Sequence, residues 1–345
     1  MGEPAAAAVD RASVRCWMHD AGIDVAGGIG LERVGLGHSN LTYRVSDESG
    51  RSWVLRRPPL GALLDSALDV LREARILRAL EPTNVPVPQI LGTLAPGQVG
   101  DNVPAVLMSW VDGIVVDRAA VIDGLTSQWR RAAALSLVAG MAAIHAVDPA
   151  RVGLGDLASQ APFAARQLRR WSRQWEFSRT RELPELDRLT ERLQATVPAQ
   201  HETTIVHGDL HMRNVIFSAD TGAPNAILDW ELSTLGEPLA DLGMLLACWP
   251  SEGEPSLEER PASTQSGFPT RSEIVDAYAE TTNRDPSVVA YWYALSLWKL
   301  GIVGEGILRR NIDEPRNRSS SAAVTPQRVA ALVERGHEVL DELVI

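Results

Sequence analysis

A chain of 345 residues with 33 basic and 44 acidic side chains, a formal net charge of −11, is long for one core and suits two lobes. The acidic balance argues against a general affinity for nucleic acid, and no apolar run approaches the roughly 18–20 residues that span a bilayer, so neither nucleic acid nor membrane is expected as a partner. The two cysteines, Cys16 and Cys248, are far apart and in no metal-ligand spacing, and the first thirty residues hold no apolar signal core. Reduced thiols in a cytoplasmic protein are the expectation.

Taken along the chain, Asp10 is placed to cap a short helix through about residue 19, ended by Gly22. Strands follow at 31–34, 41–45 and 52–56, separated by Gly35, Gly37 and an Asp47–Gly50 turn. Residues 66–80 read as a helix with Leu68, Leu71, Ile76, Leu77 and Leu80 on its apolar face, and the prolines of 82–88 stop it. Two further strands are expected near 89–93 and 105–110. Past Asp112-Gly113 the pattern turns helical: 127–146, 163–177, 240–248, 271–282 and 287–310, with a last helix capped by Thr325-Pro326 and running to about 343. Residues 250–270 read as a mobile loop and 312–324 as disordered, from their Pro, Ser, Gly and charged content.

The chemistry concentrates in Val206-His207-Gly208-Asp209-Leu210-His211-Met212-Arg213-Asn214 and in Leu228-Asp229-Trp230-Glu231. An Asp, an Asn five residues on, and a second Asp after the next apolar run match what phosphoryl transfer asks of a protein. One carboxylate orients the attacking hydroxyl, and a few oxygens hold Mg²⁺ against the phosphates. Asp209 is the candidate for the first role, Asn214 and Asp229 for the second. A loop running into a strand (214–217), a Thr221-Gly222 turn and a return strand (226–229) would bring Asp229 back beside Asn214. A rival reading takes His207, Asp209 and His211 as alternating ligands of a metallophosphoesterase, but a two-metal hydrolase needs more ligands, and the only later histidine is His337.

These segments resemble the catalytic block of the aminoglycoside phosphotransferase and choline kinase superfamily, relatives of protein kinases. A closer resemblance is to the kinase-like module that accompanies acyl-CoA dehydrogenases. It rests on GLGHSNLTYRV (35–45), WVLRRPPLG (53–61), VPVP (85–88), RQLRRWSRQW (166–175) and LDWELSTLGEPLADLG (228–243), and covers roughly residues 30–310. The resemblance implies an α+β, bilobal protein-kinase-like fold. A small N-terminal lobe (1–107) of antiparallel sheet and one helix leads through a hinge (108–113) to a larger, mainly helical lobe (114–345), with ATP between the lobes. It implies ATP and Mg²⁺ as cofactors and a small-molecule hydroxyl acceptor.

Further site residues follow from that frame. Gly35, Gly37, Ser39 and Asn40 would form a phosphate lid, since glycines let backbone N–H groups approach phosphate; the plain alternative is a Gly-containing turn. A kinase grips the α and β phosphates with a strand lysine paired to a helix glutamate. The only lysine of this chain is Lys299, so the role falls to an arginine. Strand alternation puts Val54 and Arg56 on one face, which makes Arg56 the candidate with Glu73 its partner and Arg57 the alternative. Ser109 and Val111 would meet adenine through backbone, and His207 and Asp241 would brace the catalytic loop. Glu231 would either sit behind the metal or buttress the strand end. Arg166, Arg170 and Arg173 form a basic helical series that is a solvated face, a nucleic-acid surface or, on the resemblance, part of an acceptor pocket for an anion such as a hydroxyacyl-CoA. An acyl-CoA dehydrogenase would then be a separate partner. The alternatives are an aminoglycoside acceptor, with Glu252, Glu254, Glu258 and Glu259 as its carboxylates, and a pseudokinase that binds nucleotide without turnover.

Overall fold

Strands with alternating apolar residues and helices with 3.6-residue apolar periodicity segregate along the chain, and a computed structural model shows them as two compact units. It describes residues 9–34, 40–58, 64–98, 103–157, 161–313 and 324–342. The expected glycine lid at Gly35, Gly37 and Ser39 and the segment 314–323 lie outside these residues. The first unit comprises Met1–Gly113 with Asn225–Glu231; the second comprises Ile114–Pro224 with Leu232–Ile345.

In the first unit, α1 (Arg11–Asp20) begins where the Asp10 carboxylate accepts the N–H groups of Ala12 and Ser13. It is followed by β1 (Ile29–Val34), β2 (Leu41–Asp47), β3 (Ser52–Arg57), α2 (Leu64–Leu80), β4 (Ile90–Leu94) and β5 (Ala105–Ser109). The strands form one antiparallel sheet in the order β1-β2-β3-β5-β4. Alternation decides which side chains enter the core: Trp53, Leu55 and Arg57 of β3 are buried, while Val54 and Arg56 face the other way and are half-buried. The core of α1 and the sheet gathers Val14, Met18, Tyr43, Val45, Leu55 and Leu107. Gly92, beside a register shift in β4, leaves the space that the Trp17 indole of α1 fills; a Cβ there would lie 2.3 Å from the ring. Among the described side chains of α2 the buried ones are Val70, Glu73, Ala74, Ile76, Leu77 and Leu80, whereas Leu71, expected on the apolar face, is exposed.

The expected boundary at 114 needs one correction, because Asn225–Glu231 belongs with the first unit. Its polar bonds explain why. Asn225 Nδ2 donates to the Asp112 carbonyl (2.9 Å), Ile227 N–H to the Pro86 carbonyl (2.8 Å) and Trp230 N–H to Glu73 Oε1 (3.3 Å).

The second unit is mainly helical: α3 (Ala119–Asp123), α4 (Ser127–His145), α5 (Phe163–Ser178), α6 (Pro184–Ala195), α7 (Leu239–Ala247), α8 (Arg271–Thr282), α9 (Val289–Asp313) and α10 (Pro326–Glu342). Short strands β6 (Thr204–Val206), β7 (Val215–Phe217) and β9 (Thr234–Gly236) interrupt it, and β6 and β9 pair antiparallel; β8 (Pro224–Ile227) lies in the segment that joins the first unit, apart from its first residue. The sequence reading named no helix at α3 or α6 and no strand at β6 or β9, each a short element whose stability comes from packing. Residues 250–270, expected to be a free loop, are tied at several points. Trp249 Nε1 donates to the Pro269 carbonyl (2.8 Å), Ser263 Oγ to the Pro250 carbonyl (2.7 Å), and Arg260 makes a two-pronged contact with Asp123 at 2.9 and 2.6 Å.

The centre of this unit is α9, whose stretch Tyr291–Trp298 is buried and packs against α5, α7 and α10. Close approach depends on glycine: a Cβ on Gly243 of α7 would lie 2.4 Å from the Trp292 carbonyl carbon. Since that neighbour is backbone, relief requires moving a helix. Gly243→Ala is therefore expected to destabilise the protein by about 1–3 kcal/mol or more, read as a lowered urea midpoint with an unchanged m-value.

Candidate active site

In the first unit a half-buried arginine gathers three carboxylates. Arg56 Nε lies 3.1 Å from Glu73 Oε2, its guanidinium donates to Asp229 Oδ1 at 2.9 Å, and Glu231 Oε2 lies at 3.9 Å. Burial opposes the charge on Arg56, but Glu73, Asp229 and Glu231 outweigh it and hold the guanidinium protonated. The sheet delivers Arg56 from the face opposite Arg57, which is fully buried with its Nε donating to the Pro58 carbonyl. The pairing expected between Arg56 and Glu73 is thus present, and Arg57 is turned away from this cluster. Glu231 is held from two sides: Asn40 Nδ2 donates to its carboxylate (3.4 Å), and Arg72 donates to its carbonyl (3.3 Å). Asp229 sits at φ +66°, a left-handed conformation costly for a residue with a Cβ, and Trp230 beside it is completely buried with its indole N–H on the Ile227 carbonyl. At the end of β5, Ser109 donates its N–H to Gln89 O and accepts the Gln89 N–H on Oγ, both at 2.9 Å. Its amide is therefore committed within the unit. Val111 is half-buried.

In the second unit the loop between β6 and β7 carries His207, Gly208, Asp209, His211 and Asn214. Its first turn is held from below by Asp241 of α7, one oxygen accepting His207 N–H and the other Gly208 N–H, each at 2.7 Å. Asp241 is fully buried and is itself fixed by His145 of α4 (Nε2 at 3.1 Å), whose Nδ1 lies 2.8 Å from the Tyr278 hydroxyl of α8. A carboxylate only accepts, so Nε2 is the protonated nitrogen of His145. Burial works against ionised Asp241, yet the bonds from His145 and from the Gly208 backbone hold its carboxyl below the ordinary range. Gly208 is at φ +83°, and a Cβ there would lie 2.9 Å from the Leu232 carbonyl oxygen, so the loop's path requires glycine.

Asp209 follows, its N–H donating to His207 Nδ1 (3.2 Å). Asn214 Nδ2 donates to both the Asp209 carbonyl (2.9 Å) and its carboxylate (3.2 Å), which sets the rotamer of Asp209 and leaves Asn214 Oδ1 as the side chain's oxygen donor. Burial penalises the Asp209 charge, but His211, whose Nε2 lies 3.6 Å away, together with Lys299 and His207 keeps the carboxyl well below the usual range. His207 is fully buried and serves the loop's backbone, and among the described residues no cluster of His, Cys, Asp or Glu has the arrangement of a metal site. The phosphoesterase reading loses His207 as a ligand, since its Nδ1 accepts the Asp209 N–H.

A pocket beside this loop is lined by Phe163, Gln167, Arg170, Trp171, Gly208 and Lys299, among others. The three α5 arginines expected at an acceptor, Arg166, Arg170 and Arg173, do not share it. Arg170 lines the pocket, Arg166 donates to the Leu235 carbonyl, and Arg173 lines a separate groove with Arg169 and Val197. Sequence reasoning missed Lys299, His145 and Tyr278. Lys299 carried a signal as the chain's single lysine, whereas a histidine ending an apolar helix and a tyrosine in the next carry none.

Comparison with known proteins agrees with this architecture. The profile described as the phosphotransferase enzyme family matches residues 30–273. Mouse acyl-CoA dehydrogenase family member 10 is 32% identical over 304 residues, 86% of this chain and 28% of that protein. Rat acyl-CoA dehydrogenase family member 11 is 30% identical over 305 residues, 87% of this chain and 39% of that one. The chain therefore spans well under half the length of these curated relatives. Among solved structures, one named provisionally as an aminoglycoside phosphotransferase of Ralstonia eutropha superposes with a TM-score of 0.80 at 27% identity, covering 97% of this chain and 99% of that one. The GDP complex of wild-type aminoglycoside 2′-phosphotransferase-IIIa shares the fold, with a TM-score of 0.60 at 16% identity over 96% and 98% of the two chains.

Because the carboxyl of Asp241 is held below its ordinary 3.8, its ionised contacts contribute stability above about that pH, and the contribution is lost as pH falls towards the depressed folded value. Asp241→Asn keeps the shape but loses one acceptor oxygen. It is expected to unfold by about 2–4 kcal/mol more easily at pH 7, with the gap to wild type narrowing below about pH 4 in parallel denaturation curves.

Proposed function

The chain belongs to the phosphotransferase enzyme family, and from that premise we propose that it transfers the γ-phosphoryl group of ATP, with Mg²⁺, to a hydroxyl of an anionic small molecule. The observation that carries this reading is the placement of Asp209, whose rotamer is set by Asn214 and whose preceding backbone is held by Asp241, with neighbouring cations favouring its ionised form. Such a group orients a hydroxyl and accepts its proton as the O–P bond forms.

The donor set suits the cofactors. Mg²⁺ takes oxygen ligands, and Asn214 Oδ1 and the Asp229 carboxylate are of that kind. When bound, the ion neutralises charge building on the phosphates. Arg56, kept protonated by Glu73 and Asp229, is the group suited to the nucleotide phosphates in place of the lysine this fold otherwise uses, since a guanidinium can address two oxygens at once. Asn40 in the described part of the lid and the backbone of Ser109 and Val111 remain its proposed nucleotide contacts. GDP is the nucleotide named in the complex of the 2′-phosphotransferase-IIIa, so the donor preference of this chain is part of the test.

For the acceptor, the cation Arg170 beside the catalytic loop favours an anion over a polycation. Two of the four carboxylates that would serve an aminoglycoside are already engaged: Glu254 is bound by Arg271, and Glu258 lies 3.2 Å from Arg213. The relatives' names point to acyl-CoA metabolism, which makes a hydroxyacyl-CoA the acceptor proposed first and a separate acyl-CoA dehydrogenase its proposed partner.

The test is Mg²⁺-dependent ADP release against hydroxyacyl-CoAs, aminoglycosides, choline and homoserine. Asp209→Asn is expected to lower kcat by about 10²–10⁴-fold with ATP affinity nearly intact; full activity in that variant removes the assignment. Arg56→Ala is expected to raise the KM for ATP and lower kcat, and unchanged values for both would reassign the phosphate contact. Nucleotide binding without turnover on any acceptor would favour the pseudokinase.

A further inference from the structure

Lys299 is the chain's single lysine, and it is placed at the catalytic loop. It projects from the middle of α9, where the flanking residues Leu297 and Trp298 are buried, so the helix fixes its direction. Its Nζ donates to the Gly208 carbonyl at 2.6 Å, one residue before Asp209, and lies 5.0 Å from the centre of the Trp171 ring. An ammonium has three N–H donors, and the Gly208 bond uses one.

The charges around it are unusual for this unit. Arginines here are regularly matched to carboxylates: Arg131 with Glu273, Arg181 with Glu305, Arg260 with Asp123, Arg271 with Glu254 and Arg284 with Glu202. Lys299 and Arg170 line the same pocket, and among the described residues neither is in an ion pair. The lining holds one carboxylate, Asp241, which is occupied by His145 and two backbone amides, and Asp209 nearby feels the Lys299 charge without forming an ion pair with it. Two cations lining one pocket repel one another, and an anion placed between them removes that repulsion. The aromatic faces of Phe163 and Trp171 complete a wall suited to a small organic anion.

We propose that Lys299 and Arg170 form an anion subsite of the acceptor pocket, binding a carboxylate or phosphate that the acceptor carries near its reacting hydroxyl. This deepens the reading of the protein as a phosphotransferase and rests on it for the word acceptor. The Gly208 carbonyl ties the subsite to the residue before Asp209, so a bound anion and the base are positioned by one peptide.

Having one lysine makes the test direct. Wild-type protein is treated with pyridoxal 5′-phosphate or with uncharged pyridoxal, the imine is reduced with borohydride, and labelling of the Lys299 peptide is timed by mass spectrometry, separately from the N-terminal amine. The phosphorylated aldehyde is expected to label Lys299 on the order of tenfold faster than pyridoxal, and Arg170→Gln, a change at an exposed helix position, to abolish most of that preference. Protection by inorganic phosphate or by 3-hydroxybutyrate would say which anion the subsite takes. Equal rates for the two aldehydes, a preference unaffected by Arg170→Gln, absence of labelling, or protection by neither anion would each overturn the proposal. None of these readouts needs turnover, so the subsite can fail while the kinase reading stands, and the reverse.

Discussion

The Asp241 carboxylate is the contact on which the rest of the loop that carries Asp209 depends. Two adjacent backbone N–H groups, those of His207 and Gly208, point into the protein and would be orphaned without it. One buried carboxylate satisfies both, and the bonds it accepts keep it charged despite burial. That geometry needs φ +83° at Gly208, which a side chain would block against Leu232, and it needs α7 close to α9, which Gly243 allows. Asp209 is positioned because the backbone before it has no other course. The buried chain Tyr278–His145–Asp241 extends this support through α8, α4 and α7, so the loop is braced by three helices and not by its own turn.

The first unit solves a different electrostatic problem. A buried guanidinium needs acceptors, and three carboxylates in a small volume need a cation. Arg56 meets both demands by spanning Glu73 and Asp229 at once, which a point-charge ammonium is less suited to do. This accounts for how a chain without lysine on its strands can keep a cation at that place. It also ties the segment Asn225–Glu231 to the sheet, because Glu73 binds Arg56 with one oxygen and the Trp230 amide with the other.

Lys299 illustrates how a sparse composition concentrates information. With arginine carrying every other fixed positive charge of the side chains, one ammonium stands at the loop that holds Asp209. A lysine suits that place because its compact head can bond a carbonyl and still offer further donors into the pocket.

Much of the architecture was legible from residue order. The alternation in β2 and β3, the apolar spacing of α4, α5 and α9 and the caps at Asp10 and Thr325 are local signals, and local sterics and hydrogen bonding act on neighbours in sequence. The motifs around Asp209, Asn214 and Asp229 likewise pointed to the phosphotransferase family, and alternation put Arg56, not Arg57, on the face that meets Glu73. Tertiary structure decided what depends on partners distant in the chain. It assigned Asn225–Glu231 to the first unit, pinned 250–270 through Trp249, Ser263 and Arg260, and separated Arg170 from Arg166 and Arg173 although all lie on one helix. It also brought Lys299 to Gly208 across ninety-one positions of sequence. Periodicity says which face of a helix is apolar, but which loop that helix passes is set by the packing of glycines and tryptophans around α9, and that is a property of the whole core.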